Sequence, residues 1–157
     1  MTQAIRILII DDNEADQFTF KRYLTGKACP PGRNYDIQAA ATGGEGVARF
    51  RADPPDCVLL DLSLPDTDGL SVLRQLADLV PPARLCVVML TGSGSETVAV
   101  RALQTGASEY LVKGKFTAES LCHAVENALE KARYRKQAAQ AQADLERFAY
   151  AAAHDLK

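Results

Sequence analysis

The chain has 157 residues, of which 47% are hydrophobic and 24% charged, with a formal net charge of -2. That balance can fill one core and support an appendage, and it excludes wholesale disorder. The slight acidity excludes a nucleic-acid module, which carries a basic face, and no apolar run reaches membrane-spanning length or makes a secretion signal.

The first strand is predicted over Ile5–Ile10 and ends on Asp11 and Asp12. A helix over Ala15–Thr25 leads into the turn-rich loop "CPPGRN", then a strand over Tyr35–Ala39 and a helix over Glu45–Arg51. Cys57–Asp61 reads as the third strand, followed by "LSLPDTDG" and a helix over Gly69–Leu79. A fourth strand over Leu85–Leu90 runs into Thr91 and Gly92, and a helix follows over Glu96–Thr105. The fifth strand, Glu109–Val112, ends at Lys113 and Gly114. Strands that are apolar on both sides indicate a parallel sheet covered on both faces. Strict alternation with helices gives a doubly wound α/β sheet.

From Thr117 onward there is no strand signal, no Pro and no Gly, and the residues favour helix. One helix to Lys157 would be roughly 60 Å long, more than a small domain can cover. Leu121, Val125, Ala128 and Ala132 form a stripe that can pack on the sheet. A second stripe, Tyr134, Ala138, Ala141, Leu145, Phe148 and Ala152, alternates steps of four and three. Heptad spacing of that kind predicts a parallel homodimeric coiled coil. The chain accordingly divides into a domain over 1–130 and a signalling helix over 131–157.

Cys29, Cys57, Cys86 and Cys122 have no C-x-x-C spacing and are read as reduced thiols of a cytoplasmic protein. A zinc site from Cys122 and His123 is disfavoured, because adjacent helical residues point to different faces.

Ligands of an open parallel sheet bind at the carboxyl ends of its strands. There this chain gathers Asp11, Asp12 and Asp61 with Thr91 and Lys113. Three close carboxylates repel one another and call for a cation, and an all-oxygen set suits Mg²⁺. The ammonium and hydroxyl then fit a phosphoryl group, and a carboxylate is the natural acceptor, giving an acyl phosphate. Asp61, central in the sheet, is the candidate.

"ILIIDDNEAD", "CVLLDLSLPDTDGL", "VVMLTGSG" and "GASEYLVKG" together resemble the receiver domain of two-component response regulators, over roughly residues 5–129. The resemblance implies a flavodoxin-like sheet of order 2-1-3-4-5 with Asp61 as phosphoacceptor. It implies Mg²⁺ held by Asp12, Asp61 and the Ser63 carbonyl, and by Asp11 through water. Thr91 and Tyr110 would form the switch, and Pro65 and Gly69 fit the loop after the acceptor. A histidine kinase or phosphotransfer protein would be the phosphodonor. Receivers usually carry Pro after the lysine, joined by a cis bond; Gly114 stands there instead, so a trans or flexible loop and a less rigidly held Lys113 are expected.

The terminal "LERFAYAAAHDLK" resembles the H-box of sensor histidine kinases. By that resemblance His154 would be phosphorylated from ATP, with Asp155 as the neighbouring base. No glycine-rich nucleotide box is present, so the chain is expected to be the receiver and connecting helix of a longer histidine kinase that it regulates. Two rivals differ in chemistry. An inert pseudo-receiver would serve only as a dimerisation module, and an aspartyl phosphohydrolase would want D-x-D on the first strand, where this chain has "DDNEAD".

Overall fold

A computed structural model describes residues 4–92 and 96–154. Five strands, β1 (Ile5–Ile10), β2 (Tyr35–Ala40), β3 (Cys57–Asp61), β4 (Val87–Thr91) and β5 (Glu109–Val112), alternate with α1 (Glu14–Thr25), α2 (Gly43–Ala52), α3 (Gly69–Leu79), α4 (Glu96–Thr105) and α5 (Ala118–His154). All strand pairs are parallel and the order is β2-β1-β3-β4-β5. The predicted sheet is therefore the observed one, a flavodoxin-like fold with a long C-terminal helix.

Side-chain caps set the helix starts. Asn13 accepts from the Asp16 N–H at 3.1 Å, Thr42 from Glu45 at 3.0 Å and Asp68 from Ser71 at 2.8 Å. Thr42 with Glu45 is a capping pair that starts α2 two residues before the predicted Glu45. β4 is displaced to Val87–Thr91 because a 3-10 turn over Pro82–Arg84 takes the Leu85 N–H onto the Pro82 carbonyl.

Alternation along the strands divides the core in two. Ile7, Ile9, Leu59, Val88 and Leu90 pack with Phe20 and Leu24 of α1 and with Leu121, Val125 and Ala128 of α5. Leu8, Ile10, Val58, Leu60, Val87 and Met89 face α2, α3 and α4 through Val47, Phe50, Leu73, Leu76 and Ala102. α5 begins near the carboxyl rim and runs back across the sheet. Lys131 reaches the start of β5, donating to the Ser108 carbonyl at 2.9 Å and pairing with Glu109 at 2.8 Å. The helix then leaves from the edge opposite the rim. Its last buried residue is Ala132, whereas Tyr134, Leu145, Phe148 and Tyr150 are 60–72% exposed.

The cysteine reading needs correction. Cys29 and Cys122 form a disulfide, with Cα atoms 5.3 Å apart and a sequence separation of 93. The loop "CPPGRN" folds onto the first turns of α5, a juxtaposition that only the topology creates. A bridged Cys122 has no thiolate to offer a metal, which also disposes of the zinc site. Cys57 and Cys86 are buried free thiols, as expected; the hydrogen bond with Cys86 and burial push the Cys57 thiol upward.

Candidate functional site

The rim is assembled by backbone bonds that continue the sheet. Asp11 N–H donates to Ala40 at 3.0 Å, Leu62 to Leu90 at 2.8 Å, and Lys113 to Thr91 at 2.6 Å. These fix the ends of β1, β3 and β5 side by side around Thr91, which is buried at the end of β4. Asp11 is wholly buried and Asp61 is 4% exposed, while Asp12 stands open to solvent. One carboxylate oxygen from each lies within 4.8 Å of the others.

Each buried carboxylate spends one oxygen on the backbone. Asp11 Oδ1 accepts from the Asn13 N–H at 2.9 Å, and Asp61 Oδ1 from Ser63 at 3.1 Å. The remaining oxygens turn toward Lys113 Nζ, at 2.8 Å from Asp11 Oδ2 and 2.9 Å from Asp61 Oδ2. The Asp11 contact is an ion pair without hydrogen-bond direction, so this buried oxygen retains an unused lone pair. Burial pushes the Asp11 carboxyl above the ordinary aspartate range, against the pull of Lys113 and the Asn13 amide. Burial alone would lower the Lys113 ammonium; Asp11, Asp16 and Asp61 outweigh it and raise it.

The loop after β3 is shaped by close approach. A side chain at Gly69 would put its Cβ 2.5 Å from the Asp61 carbonyl oxygen, and the Gly69 N–H donates to Leu62 at 2.6 Å. Asp66, in the same loop, accepts from Gly43 and Gly44 at the start of α2, both at 2.9 Å. Those two N–H groups hold its carboxyl below the ordinary range. Ser63, Leu64 and Pro65 border an open depression with Asp12, Asp16, Asp61 and Lys113. Tyr110 is half-buried beside Met89 on β5, against the core on the α3 and α4 side.

The loop after β5 is trans, since no cis peptide occurs among the described residues, and Gly114 adopts φ +80°. Lys113 nevertheless reaches the acids. Three carboxylates grip its ammonium, and the third, Asp16 at 2.9 Å, was not anticipated as a site residue. Its sequence signal was its place in the first turn of α1, just past the Asn13 cap.

His154 lies apart from this rim. It ends about 33 Å of exposed helix beyond Ala132, on the opposite side of the sheet, with its ring 5.0 Å from that of Tyr150. Asp155 lies outside the described residues.

The oxygen set fits a divalent ion. Three carboxylate oxygens within 4.8 Å of one another would repel without a cation, and an all-oxygen set of this kind suits a divalent ion. The unused Asp11 oxygen and the excess of negative charge point the same way.

A sheet of this order with an acidic cluster and a lysine on its carboxyl rim defines a CheY-like signalling domain. Residues 7–126 match the response regulator receiver domain family, and the chain belongs to it. It is thus a phosphoacceptor domain of two-component signalling. It is 28% identical to the chemotaxis protein CheY of Bacillus subtilis over 127 residues, 80% of this chain and 98% of CheY. The transcriptional regulatory protein ResD of Bacillus subtilis is 32% identical over 112 residues, 71% of this chain, which spans 43% of ResD. The receiver domain protein of Methanospirillum hungatei superposes with a TM-score of 0.72 at 30% identity, covering 84% of this chain and 98% of that one. A Burkholderia pseudomallei response regulator, described with a phosphorylated aspartic acid, calcium ion and citrate, gives a TM-score of 0.66 at 30% identity over 84% of this chain and 72% of its own. Among the described residues no helix is long and apolar enough to cross a membrane.

Proposed function

We propose that Asp61 is the phosphoacceptor, charged from the phosphohistidine of a histidine kinase or phosphotransfer protein. An Asp61 oxygen forms the new O–P bond as the donor's P–N bond breaks, and the departing imidazole keeps the electron pair and takes a proton. Lys113 balances the charge on one phosphoryl oxygen, and the Thr91 hydroxyl donates to another. Asp12, Asp61 and the Ser63 carbonyl, with Asp11 through water, would hold Mg²⁺, which neutralises the acidic cluster and polarises the phosphoryl group when bound. The observation that carries this reading is Lys113 Nζ 2.9 Å from a buried Asp61 oxygen, beside two further acids. The Burkholderia relative's phosphorylated aspartate and divalent ion support it by similarity.

Movement of Thr91 toward the phosphoryl group, with Tyr110 turning inward behind it, passes the change to β5 and α5. α5 in turn acts on an attached histidine kinase, as a parallel homodimer paired through its exposed stripe and leading to His154 with Asp155. His154 ends α5 at the far end from the rim, which favours a donor other than this chain's own His154. The relay operates in the cytoplasm, where ATP supplies the donor. Incubation with acetyl phosphate and Mg²⁺ should add one phosphoryl group that base and hydroxylamine release. Its persistence in Asp61→Asn would refute the assignment.

A further inference from the structure

We infer that Asp16 is a positioning residue for Lys113, a role that rests on the phosphoacceptor reading above and deepens it. The Lys113 ammonium touches three carboxylates at nearly equal distance: Asp11 at 2.8 Å, Asp16 at 2.9 Å and Asp61 at 2.9 Å. Two of these belong to the oxygen cluster suited to a metal; Asp16 does not. Once an ion draws on Asp11, Asp12 and Asp61, and Asp61 also carries phosphorus, their charge is shared among several partners. Asp16 alone of the three keeps its hold on the lysine undivided.

The anchor is itself held. Asn13 caps α1 by accepting from the Asp16 N–H at 3.1 Å, and its own N–H donates to Asp11 Oδ1 at 2.9 Å. Gln17 donates from its side chain to the Asp11 carbonyl. The first turn of α1 is thereby tied to the end of β1, and Asp16 stands at a defined position relative to the acids. The lysine has no comparable stiffness behind it. It is followed by Gly114 at φ +80° and a turn closed by the Lys115 N–H on the Val112 carbonyl at 3.1 Å. The order of a long flexible side chain on such a loop must come from its charged end. Asp16 supplies from α1 what the loop does not.

A purely electrostatic view makes the opposite forecast. Asp16 adds negative charge near a site that must accept a phosphoryl group, so removing it should speed the reaction. The equal distances argue instead that Asp16 steadies the ammonium without drawing it off Asp61.

The full chain carrying Asp16→Asn, Asp16→Ala or Asp16→Glu is incubated with acetyl phosphate and Mg²⁺, and the rate of phosphoryl gain is followed by mass spectrometry. The limiting rate should fall roughly tenfold in Asn and Ala, less than the loss on deleting a charge-stabilising donor outright. Half-saturating Mg²⁺ should stay within about twofold of the unmodified chain, because Asp16 is not in the metal set. Asp16→Glu should recover most of the rate. The Asp16 side chain is 35% exposed, so the isosteric Asn should fold, which a thermal melt verifies. An unchanged or faster rate in Asp16→Asn overturns the role, as does a parallel loss of Mg²⁺ affinity or a Glu variant no better than Ala. If the unmodified chain takes no phosphoryl group on Asp61, both readings fall; if it does and Asp16→Asn matches it, only this one falls.

Discussion

Gly69 and Asp66 hold the acceptor loop by opposite means, one by having no side chain and the other by the charge of its own. A Cβ at Gly69 would meet the Asp61 carbonyl at 2.5 Å and the Leu62 Cα at 2.7 Å, both backbone atoms that cannot swing aside. Gly69→Ala should therefore cost about 1–3 kcal/mol, the usual penalty of overpacking, and slow phosphorylation by displacing Asp61. Chemical denaturation and the acetyl phosphate assay read the two effects. Asp66 differs in being tied to pH. Its carboxyl is held below the ordinary range by the Gly44 and Gly43 amides, so its contribution is fully present above the unfolded-state value and is lost as pH falls through the folded one. The melting temperature of Asp66→Asn should lie below that of the unmodified chain at neutral pH. The gap should close as pH drops below about 4. A gap that stays constant across that range would remove the charge argument.

At the scale of elements, the short strands were legible because the runs in β1, β3 and β4 are apolar on both faces and each strand is followed by a helix, whereas their order was implied by the resemblance to receiver domains. The acidic rim was legible for the same reason, since strand ends in a doubly wound sheet must converge. Asp16 was not, because its importance depends on where the Lys113 side chain reaches across 97 residues of sequence. Nor was the bridge between Cys29 and Cys122, which joins a loop to a helix that meet only after the sheet has formed. In the chain-entropy picture, closing a loop of that size stabilises the fold by about 4–5 kcal/mol at most. The bridged and reduced forms of the receiver should therefore differ in stability. Adding a reductant, or replacing Cys122 with Ser, should lower the melting temperature, while Cys57→Ser under oxidising conditions should leave the bridge intact. Alkylation before and after reduction should reveal two additional reactive thiols. The absence of any reductant effect on melting would show that the bridge does not form in solution.

Across the whole molecule, α5 divides into two lengths with different physics. Up to Ala132 its helical state is underwritten by burial against α1 and the sheet. The remainder has only local propensity, a few i,i+3 and i,i+4 contacts such as Arg147 with Asp144, and small apolar residues open to water. Most helical stability in proteins comes from packing an apolar face, which this part lacks, so it should be more stable when paired. Leu145 and Phe148, 61% and 72% exposed, are the largest apolar groups on the heptad stripe and should carry most of the pairing. Dilution should therefore reduce helicity without loosening the sheet, and sedimentation should follow a monomer–dimer equilibrium. Leu145→Glu with Phe148→Glu should leave a monomer at all accessible concentrations, with the melting temperature of the receiver unchanged because neither residue touches its core. If instead the double variant sediments like the unmodified chain, the stripe is not the seam. If the double variant melts lower at a concentration where both proteins are monomeric, then the exposed half of α5 supports the receiver directly and the two-part description of the helix is wrong.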